Sequence, residues 1–215
     1  MEYQKISEKG RRYLQSEIDI LTRLNEERVV KLLNHTYSDD GTLMYIIMEY
    51  CPLGDLAKFI SQNKGNIPID QVKHFFKELA LSVYCLKERS IIHRDLKPAN
   101  ILLVLDESGT HRLKLCDFTF ARELDQEEVA HTMCGSPLYM APERLESVDY
   151  NVKAELWSIG IIYYELLYNT VPWKEENLLA LHYSINSTPL QFPSAKWVPG
   201  EMKDLIRQLL KPNPK

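Results

Sequence analysis

Residues 152–168, read as VKAELWSIGIIYYELLY, constrain the fold more than any other stretch. From Leu156 to Tyr168 the run is apolar or small except for Glu165. It is too short to span a bilayer, which takes about 20 residues. Because nearly every face is apolar, it predicts a helix buried at the centre of a domain. Such a helix needs other elements packed around it. The 215-residue chain has the material, with 45% hydrophobic and 26% charged residues, the balance of a folded protein long enough to bury a sizeable core.

The surrounding pattern supplies those elements. Leu14, Ile18, Leu21 and Leu24 recur at helical spacing and predict a helix over 12–25. Two apolar, β-branched-rich segments, 29–33 and 44–50, flank the turn signal Ser38-Asp39-Asp40-Gly41 and predict a hairpin. Cys51-Pro52-Leu53-Gly54 interrupts the pattern and reads as a linker. Asp70 is placed to cap a helix running to about Glu88, with Val72, Phe75, Phe76, Leu79, Val83 and Leu86 on its core face. Segments 101–104 and 113–116 read as short strands on either side of a turn. Residues 118–142 have no period and predict a long loop, usually a functional feature in a compact domain. Further helices are expected near 177–186 and 201–210.

Several function classes are disfavoured. A formal net charge of −4 gives no basic footprint for nucleic acid. The cysteines at 51, 85, 116 and 134 form no C-x-x-C pair and read as reduced thiols. The polar N-terminal segment has no signal-peptide core. A soluble, cytoplasmic protein without a transmembrane segment is expected. Glycine is scarce, at 8 residues against about 15 from average usage, and no two are spaced for a G-x-G-x-x-G or Walker phosphate loop.

The chemistry-bearing signal is His93-Arg94-Asp95-Leu96-Lys97-Pro98-Ala99-Asn100, lying between a helix and a short strand. Asp117-Phe118-Thr119 and then Ala141-Pro142-Glu143 follow. Taken singly, each is an ordinary set of loop residues; three in this order are specific. The set resembles the signature of the eukaryotic protein kinase family. Phosphoryl transfer depends mainly on positioning and charge neutralisation. The resemblance implies Asp95 as the base that accepts the substrate hydroxyl proton, and Lys97 as the cation beside the γ-phosphate of ATP. It implies Asn100 and Asp117 as oxygen ligands of Mg2+, a cation that prefers such donors. It also implies protein substrates phosphorylated on Ser or Thr, since Lys97 stands where serine/threonine kinases carry lysine. Regulatory protein partners would follow. A small-molecule kinase fits less well, because Ala141-Pro142-Glu143 belongs with protein substrates.

Further positions follow from the same resemblance. Met48 falls at the gatekeeper, and Glu49-Tyr50-Cys51 at the hinge that holds adenine through its backbone. Asp55 falls where an acidic residue reaches the ribose, and Leu102 where an apolar side chain floors the base. Glu17 falls at the glutamate that pairs with a lysine on strand three. Thr132 is the candidate activation-segment phosphosite, with Arg94 as the cation its phosphate would meet. Ser136 is expected to hydrogen-bond Lys97 and Asp95, and with Leu138 it falls in the loop that reads the residue after the phosphoacceptor. The loops around Asp117 and Ala141 look closest to the autophagy-initiating, ULK-like kinases. The implied fold is α+β and two-lobed: a truncated N-terminal β lobe over 1–50, with the helix and two strands, and a mainly α-helical C-terminal lobe over 51–215.

Four departures from the family pattern stand out. Thr119 replaces a glycine, and a β-branched residue there is expected to narrow the motions of Asp117 and Phe118. Glu155 replaces the aspartate that anchors the catalytic-loop backbone, and its extra methylene predicts a looser anchor. Glu143 is expected to lack its arginine partner, which would make it a costly lone carboxylate if buried. The segment before residue 12 has no room for glycine-rich strands, and the resemblance implies an N-terminally incomplete domain. Lys5 is then a candidate for the ATP lysine, but its reading as a solvated surface lysine is the better one. These departures keep a second function open, a catalytically impaired pseudokinase or scaffold module.

Overall fold

The computed structural model describes residues 2–123, 136–145, 152–194 and 196–212. Thr132, Cys134 and most of the segment expected to carry regulation lie outside them. After a 3₁₀ turn at Tyr3–Lys5, helix α1 runs from Glu8–Arg23. It starts four residues earlier than the apolar period suggested, because the Ser7 hydroxyl accepts from the Gly10 amide at 3.1 Å and caps it.

Strands β1 (Leu32–Tyr37) and β2 (Met44–Met48) pair antiparallel across the expected turn. The first strand is displaced from the predicted 29–33. Val29 and Val30 instead dock beside Leu115: the Val30 amide donates to the Leu115 carbonyl at 2.9 Å, and the Leu115 amide to the Arg28 carbonyl at 2.8 Å. The apolar run there feeds a different strand pairing, and the hairpin uses the more polar residues that follow.

Helix α2 (Leu56–Asn63) is capped by Asp55, whose carboxylate accepts from the Lys58 amide at 2.8 Å. Helix α3 (Ile69–Lys87) begins after Pro68, with no side-chain cap. The expected cap, Asp70, sits inside the first turn instead, where its charge complements the helix dipole. Short strand β3 (Ile91–Ile92) is followed by a 3₁₀ turn, Pro98–Asn100. Strands β4 (Ile101–Leu105) and β5 (His111–Leu115) form the predicted hairpin. Asp106 closes its turn by accepting from the Ser108 and Thr110 amides, each at 2.9 Å.

The expected long loop holds local structure. Strand β6 (Arg122–Glu123) pairs with β3. A 3₁₀ turn at Pro137–Tyr139 leads to the short helix α4 (Pro142–Leu145).

Helix α5 (Lys153–Tyr168) is the predicted central helix, with twelve of its sixteen residues buried. Helices α6 (Leu178–Ser187) and α7 (Gly200–Leu209) complete the order. Phe76 of α3 lies against Tyr163, ring centroids 4.4 Å apart, and Trp173 stacks on Trp157.

The described residues bury two apolar clusters. The smaller holds Leu14, Ile18 and Met44, with Tyr3, Ile6, Leu32 and Ile46 against it. The larger surrounds α5 and also takes in Ile20, Leu21, Leu24 and Val29. Leu32 packs on both. This is the two-lobed α+β arrangement, with the chemistry-bearing loops where the strands of the larger part end. No described helix is long and apolar enough to cross a membrane. Cys51, Cys85 and Cys116 are free thiols.

Candidate active site

The loop between β3 and β4 is held from below by α5. Glu155 is fully buried, and its Oε1 accepts from the His93 amide at 2.6 Å and the Arg94 amide at 3.1 Å. Its Oε2 is buried without a partner. The anchor is thus made by one oxygen. Burial pushes the carboxyl up to about 7, against the two amide donors and the Arg144 charge. The Arg144 guanidinium adds a second tie, donating to the Arg94 carbonyl at 2.6 Å. Arg94 itself takes a positive φ of 73°, which is held by bonds on both sides of it.

His93 joins this loop to the Asp117 segment. Its Nε2 meets the Cys116 carbonyl at 3.0 Å, and its Nδ1 accepts from the Asp95 amide at 3.3 Å. These bonds assign the proton to Nε2. Burial lowers the imidazole pKa and keeps the ring neutral, despite the nearby Asp95 and Asp117 charges. The ring also packs on buried Phe118, centroids 4.8 Å apart.

Asp95 is the centre of the site. Its Oδ2 accepts from Lys97 Nζ at 2.7 Å and Asn100 Nδ2 at 2.9 Å, and its Oδ1 from the Ser136 amide at 3.1 Å. The expectation for Ser136 is therefore met in part. It bonds Asp95 through its backbone, while Lys97 reaches the other oxygen of that carboxylate and does not bond Ser136. Asn100 Nδ2 also donates to the Asp95 carbonyl at 3.0 Å. Its amide donors are turned to Asp95, which aims Oδ1 the other way, as a ligand for a hard cation requires.

The Cys116 amide donates to the Asn100 carbonyl at 3.0 Å and places Asp117 beside that asparagine. Asp117 has a positive φ of 62°, whereas Thr119 is not among the positive-φ residues. Thr119 is thus spared the strain that a β-branched side chain would meet in the glycine-only conformation. Its amide approaches Asp117 Oδ1 at 3.4 Å.

No described cluster of three or more histidines, cysteines or carboxylates could hold a metal alone. A pair of oxygen donors, Asn100 and Asp117, fits the case in which magnesium keeps most of its shell for water and phosphate. Glu17, on α1, accepts from the Phe118 amide at 3.2 Å and from the Thr119 hydroxyl at 2.9 Å. Lys5 pairs with Glu2 at the surface, 2.8 Å away, as the solvated reading had it.

The residues expected to form the hinge, Glu49-Tyr50-Cys51, directly follow β2. The Glu49 amide donates to the Lys31 carbonyl at 2.9 Å, and no described residue takes the Glu49 carbonyl or the Cys51 amide. Burial, reinforced by Glu49, pushes the Cys51 thiol up, and the Cys116 thiol is driven to about 12, chiefly by burial. Both are inert packing groups. Leu102 lies on β4 and bridges Asp55 through the backbone. Asp55 uses one carboxylate oxygen to cap α2. Met48 packs on the larger core, as does Leu138.

Glu143 is half-buried and has an interaction partner, contrary to the expected lone carboxylate.

Two groups were not singled out by sequence. Tyr139 OH donates to Glu165 at 2.7 Å, and Ser158 Oγ to the Tyr139 carbonyl at 2.7 Å, fastening the 3₁₀ turn to α5. The lone charge in the apolar run was the available signal. Lys114 is buried on β5 against Glu49, and nothing in the strand pattern marked it.

A carboxylate bonded by a lysine and an asparagine, beside a second carboxylate on a positive-φ turn, is an arrangement that phosphoryl transfer can use. Residues 1–215 match the protein kinase domain, and the chain belongs to that family. It is 40% identical over 212 residues to the serine/threonine-protein kinase ATG1a of Arabidopsis thaliana, covering 97% of this chain and 33% of that protein. It is 36% identical over 246 residues to the serine/threonine-protein kinase atg1 of Schizosaccharomyces pombe, covering 98% of this chain and 29% of that one. The chain thus spans a third or less of the length of these relatives.

Proposed function

We propose that this chain is the core of a serine/threonine protein kinase that transfers the γ-phosphoryl group of ATP to protein hydroxyls, acting in the cytoplasm in autophagy signalling. Its likeness to the ATG1 kinases supports the pathway, and their shared description as serine/threonine kinases supports the substrate class. The observation that carries the chemistry is the Asp95 carboxylate, bonded at once by Lys97, Asn100 and Ser136.

In this reading Asp95 orients the attacking Ser or Thr hydroxyl and accepts its proton. Lys97, already 2.7 Å from that carboxylate, offsets the charge that spreads over the transferring phosphoryl oxygens. Asn100 and Asp117 hold Mg2+, which supplies charge neutralisation at the phosphates when bound. The Glu49 carbonyl and Cys51 amide take adenine, Met48 and Leu102 wall it, and Asp55 reaches the ribose with its second oxygen. Ser136 and Leu138 receive the peptide beyond the phosphoacceptor. Phosphorylated Thr132 meets Arg94, and regulatory proteins act through that segment. Residues 1–50 act as the N-terminal lobe and 51–215 as the C-terminal lobe.

Thermal unfolding with and without Mg-ATP tests nucleotide binding. At about 100 times Kd a single site stabilises by roughly 2.7 kcal/mol. Transfer of labelled phosphate to a Ser/Thr protein substrate tests catalysis, and Asp95→Asn is expected to lower kcat by roughly 10²–10⁴ while leaving the melting temperature near that of the parent. A chain that neither gains stability from Mg-ATP nor transfers phosphate is a scaffold, not a kinase.

A further inference from the structure

We propose that Thr119 is a positioning residue whose hydroxyl, with the Phe118 amide, holds Glu17 and ties α1 directly to the segment carrying Asp117. The proposal rests on the kinase reading for what Asp117 does, but the tie itself is a matter of geometry. Glu17 Oε2 accepts from Thr119 Oγ1 at 2.9 Å, and Oε1 from the Phe118 amide at 3.2 Å. Each oxygen of the carboxylate therefore has a donor, and both donors come from one loop. No described cation lies within ion-pair distance of Glu17. The lysines that could be thought of are committed elsewhere, Lys5 to Glu2 and Lys114 to Glu49.

The surroundings give the hydroxyl a task. Burial raises the Glu17 pKa, and the Asp117 charge pushes the same way, while the Thr119 and Phe118 donors oppose both. A carboxylate placed near another carboxylate stays in position only when donors hold it. Glycine at 119 has no side-chain donor to offer. Threonine has one, and the backbone permits it, because the positive φ of this turn falls on Asp117. The side chain that departs from the family pattern is thus the one that makes the contact. It spans more than a hundred residues of sequence, from the middle of α1 to the metal-side loop. The tie needs no nucleotide. Phe118, fixed by the same carboxylate through its amide, is also packed on His93, so a loosened Thr119 loosens the loop that presents Asp117.

The test uses the full chain without nucleotide, comparing Thr119→Val, which keeps the shape and removes the donor, with Thr119→Ser, which keeps the donor. Hydrogen exchange reads local opening. The valine variant is expected to exchange roughly tenfold faster at the Phe118 amide and along α1, as the loss of a bond to a charged acceptor allows. The serine variant is expected to stay close to the parent. In a Glu17→Ala background, Thr119→Val is expected to add nothing further. Equal behaviour of valine and serine, or additive effects in the Glu17→Ala background, overturns the proposal. Should the valine variant not fold, Thr119→Ala against Thr119→Ser gives the same comparison.

Kinetics supply an independent readout. The valine variant is expected to raise KM for Mg-ATP several-fold, with serine restoring it, and an unchanged KM counts against positioning of Asp117. A parent chain that shows the exchange difference but neither binds nor turns over Mg-ATP overturns the kinase reading and leaves the tie between α1 and Thr119 established. One that phosphorylates substrate with no exchange difference does the reverse.

Discussion

Glu155 anchors the catalytic loop with half of its carboxylate. The two amides of the catalytic loop need an acceptor from α5, and a glutamate reaches them with one oxygen while the other stays buried and unbonded. An uncompensated buried oxygen disfavours the charged form, and burial sets the carboxyl at about 7 instead of 4.5. Because the folded protein binds this proton more tightly than the unfolded chain, Glu155 contributes stability that is complete below about pH 4.5. That contribution is lost as pH rises through about 7. Its size is on the order of 3 kcal/mol. Glu165 and Glu17 are also raised by burial, so the whole-protein profile is a sum. The difference between parent and Glu155→Gln isolates one member. Glutamine keeps an acceptor for the two amides and cannot titrate. Melting temperatures measured from pH 5 to 8 are expected to fall more steeply for the parent than for the glutamine variant. Parallel profiles would show that the Glu155 proton does not titrate in this range.

At the scale of elements, legibility followed the strength of the period. Helix α5 was readable because its run from Leu156 to Tyr168, apolar on nearly every face with Glu165 its lone charge, predicts burial, and its neighbours α3 and α7 because their apolar stripes face it. The signal for α2 was weak, since eight residues make barely two turns, and its Asp55 cap looked like a ligand-binding acid. Residues 29–33 were read as a hairpin strand because β-branched residues signal a strand without naming its partner. Register is a property of the fold, and the partner proved to be Leu115. In the site, residue types in the His93–Asn100 motif were legible, but which oxygen meets which donor was not. The pairing of Glu17 with Thr119 depends on a contact across more than a hundred residues. Packing of α5 on α7 is equally invisible in either segment alone. A Cβ on Gly160 would lie 2.8 Å from Leu210 Cδ2 and 2.9 Å from Leu209 Cβ. Leu210 is buried and has little room to retreat. Gly160→Ala is therefore expected to destabilise by about 1–3 kcal/mol through overpacking, outweighing the gain in helix propensity of roughly 1 kcal/mol. Urea unfolding reads this directly, and a neutral or stabilising outcome would mean that α7 shifts freely on α5.

For the whole molecule, the question is what joins the smaller core to the larger one. Strand β5 does much of it. Its last residue, Leu115, takes the 28–30 segment as a partner. One step inward, Lys114 turns its ammonium to the Glu27 carbonyl at 2.8 Å and to Glu49 Oε1 at 2.9 Å. Glu49 Oε2 in turn accepts from the Lys31 amide at 3.2 Å. One buried cation thus gathers the end of the α1–β1 connection, the hinge position and the large-core hairpin. The side chain of Lys114 is 8% exposed and that of Glu49 is 28% exposed. Truncating the cation leaves a carboxylate that water reaches only in part. Breaking a fully buried pair costs roughly 3–5 kcal/mol, and partial access for water at Glu49 reduces that to about 2 kcal/mol. Lys114→Met fills the same space and is expected to lower unfolding stability by this amount. Glu49→Gln in the same chain removes the stranded charge and is expected to recover part of the loss, so the two changes are not additive. If they add, Lys114 and Glu49 act independently and the brace does not exist. If the pair couples as expected, the hinge backbone proposed to hold adenine is positioned by a residue of the large-core hairpin. Mg-ATP binding by Lys114→Met then weakens in step with the lost stability, because Lys114 meets the carboxylate of Glu49 and not the backbone carbonyl proposed to hold adenine.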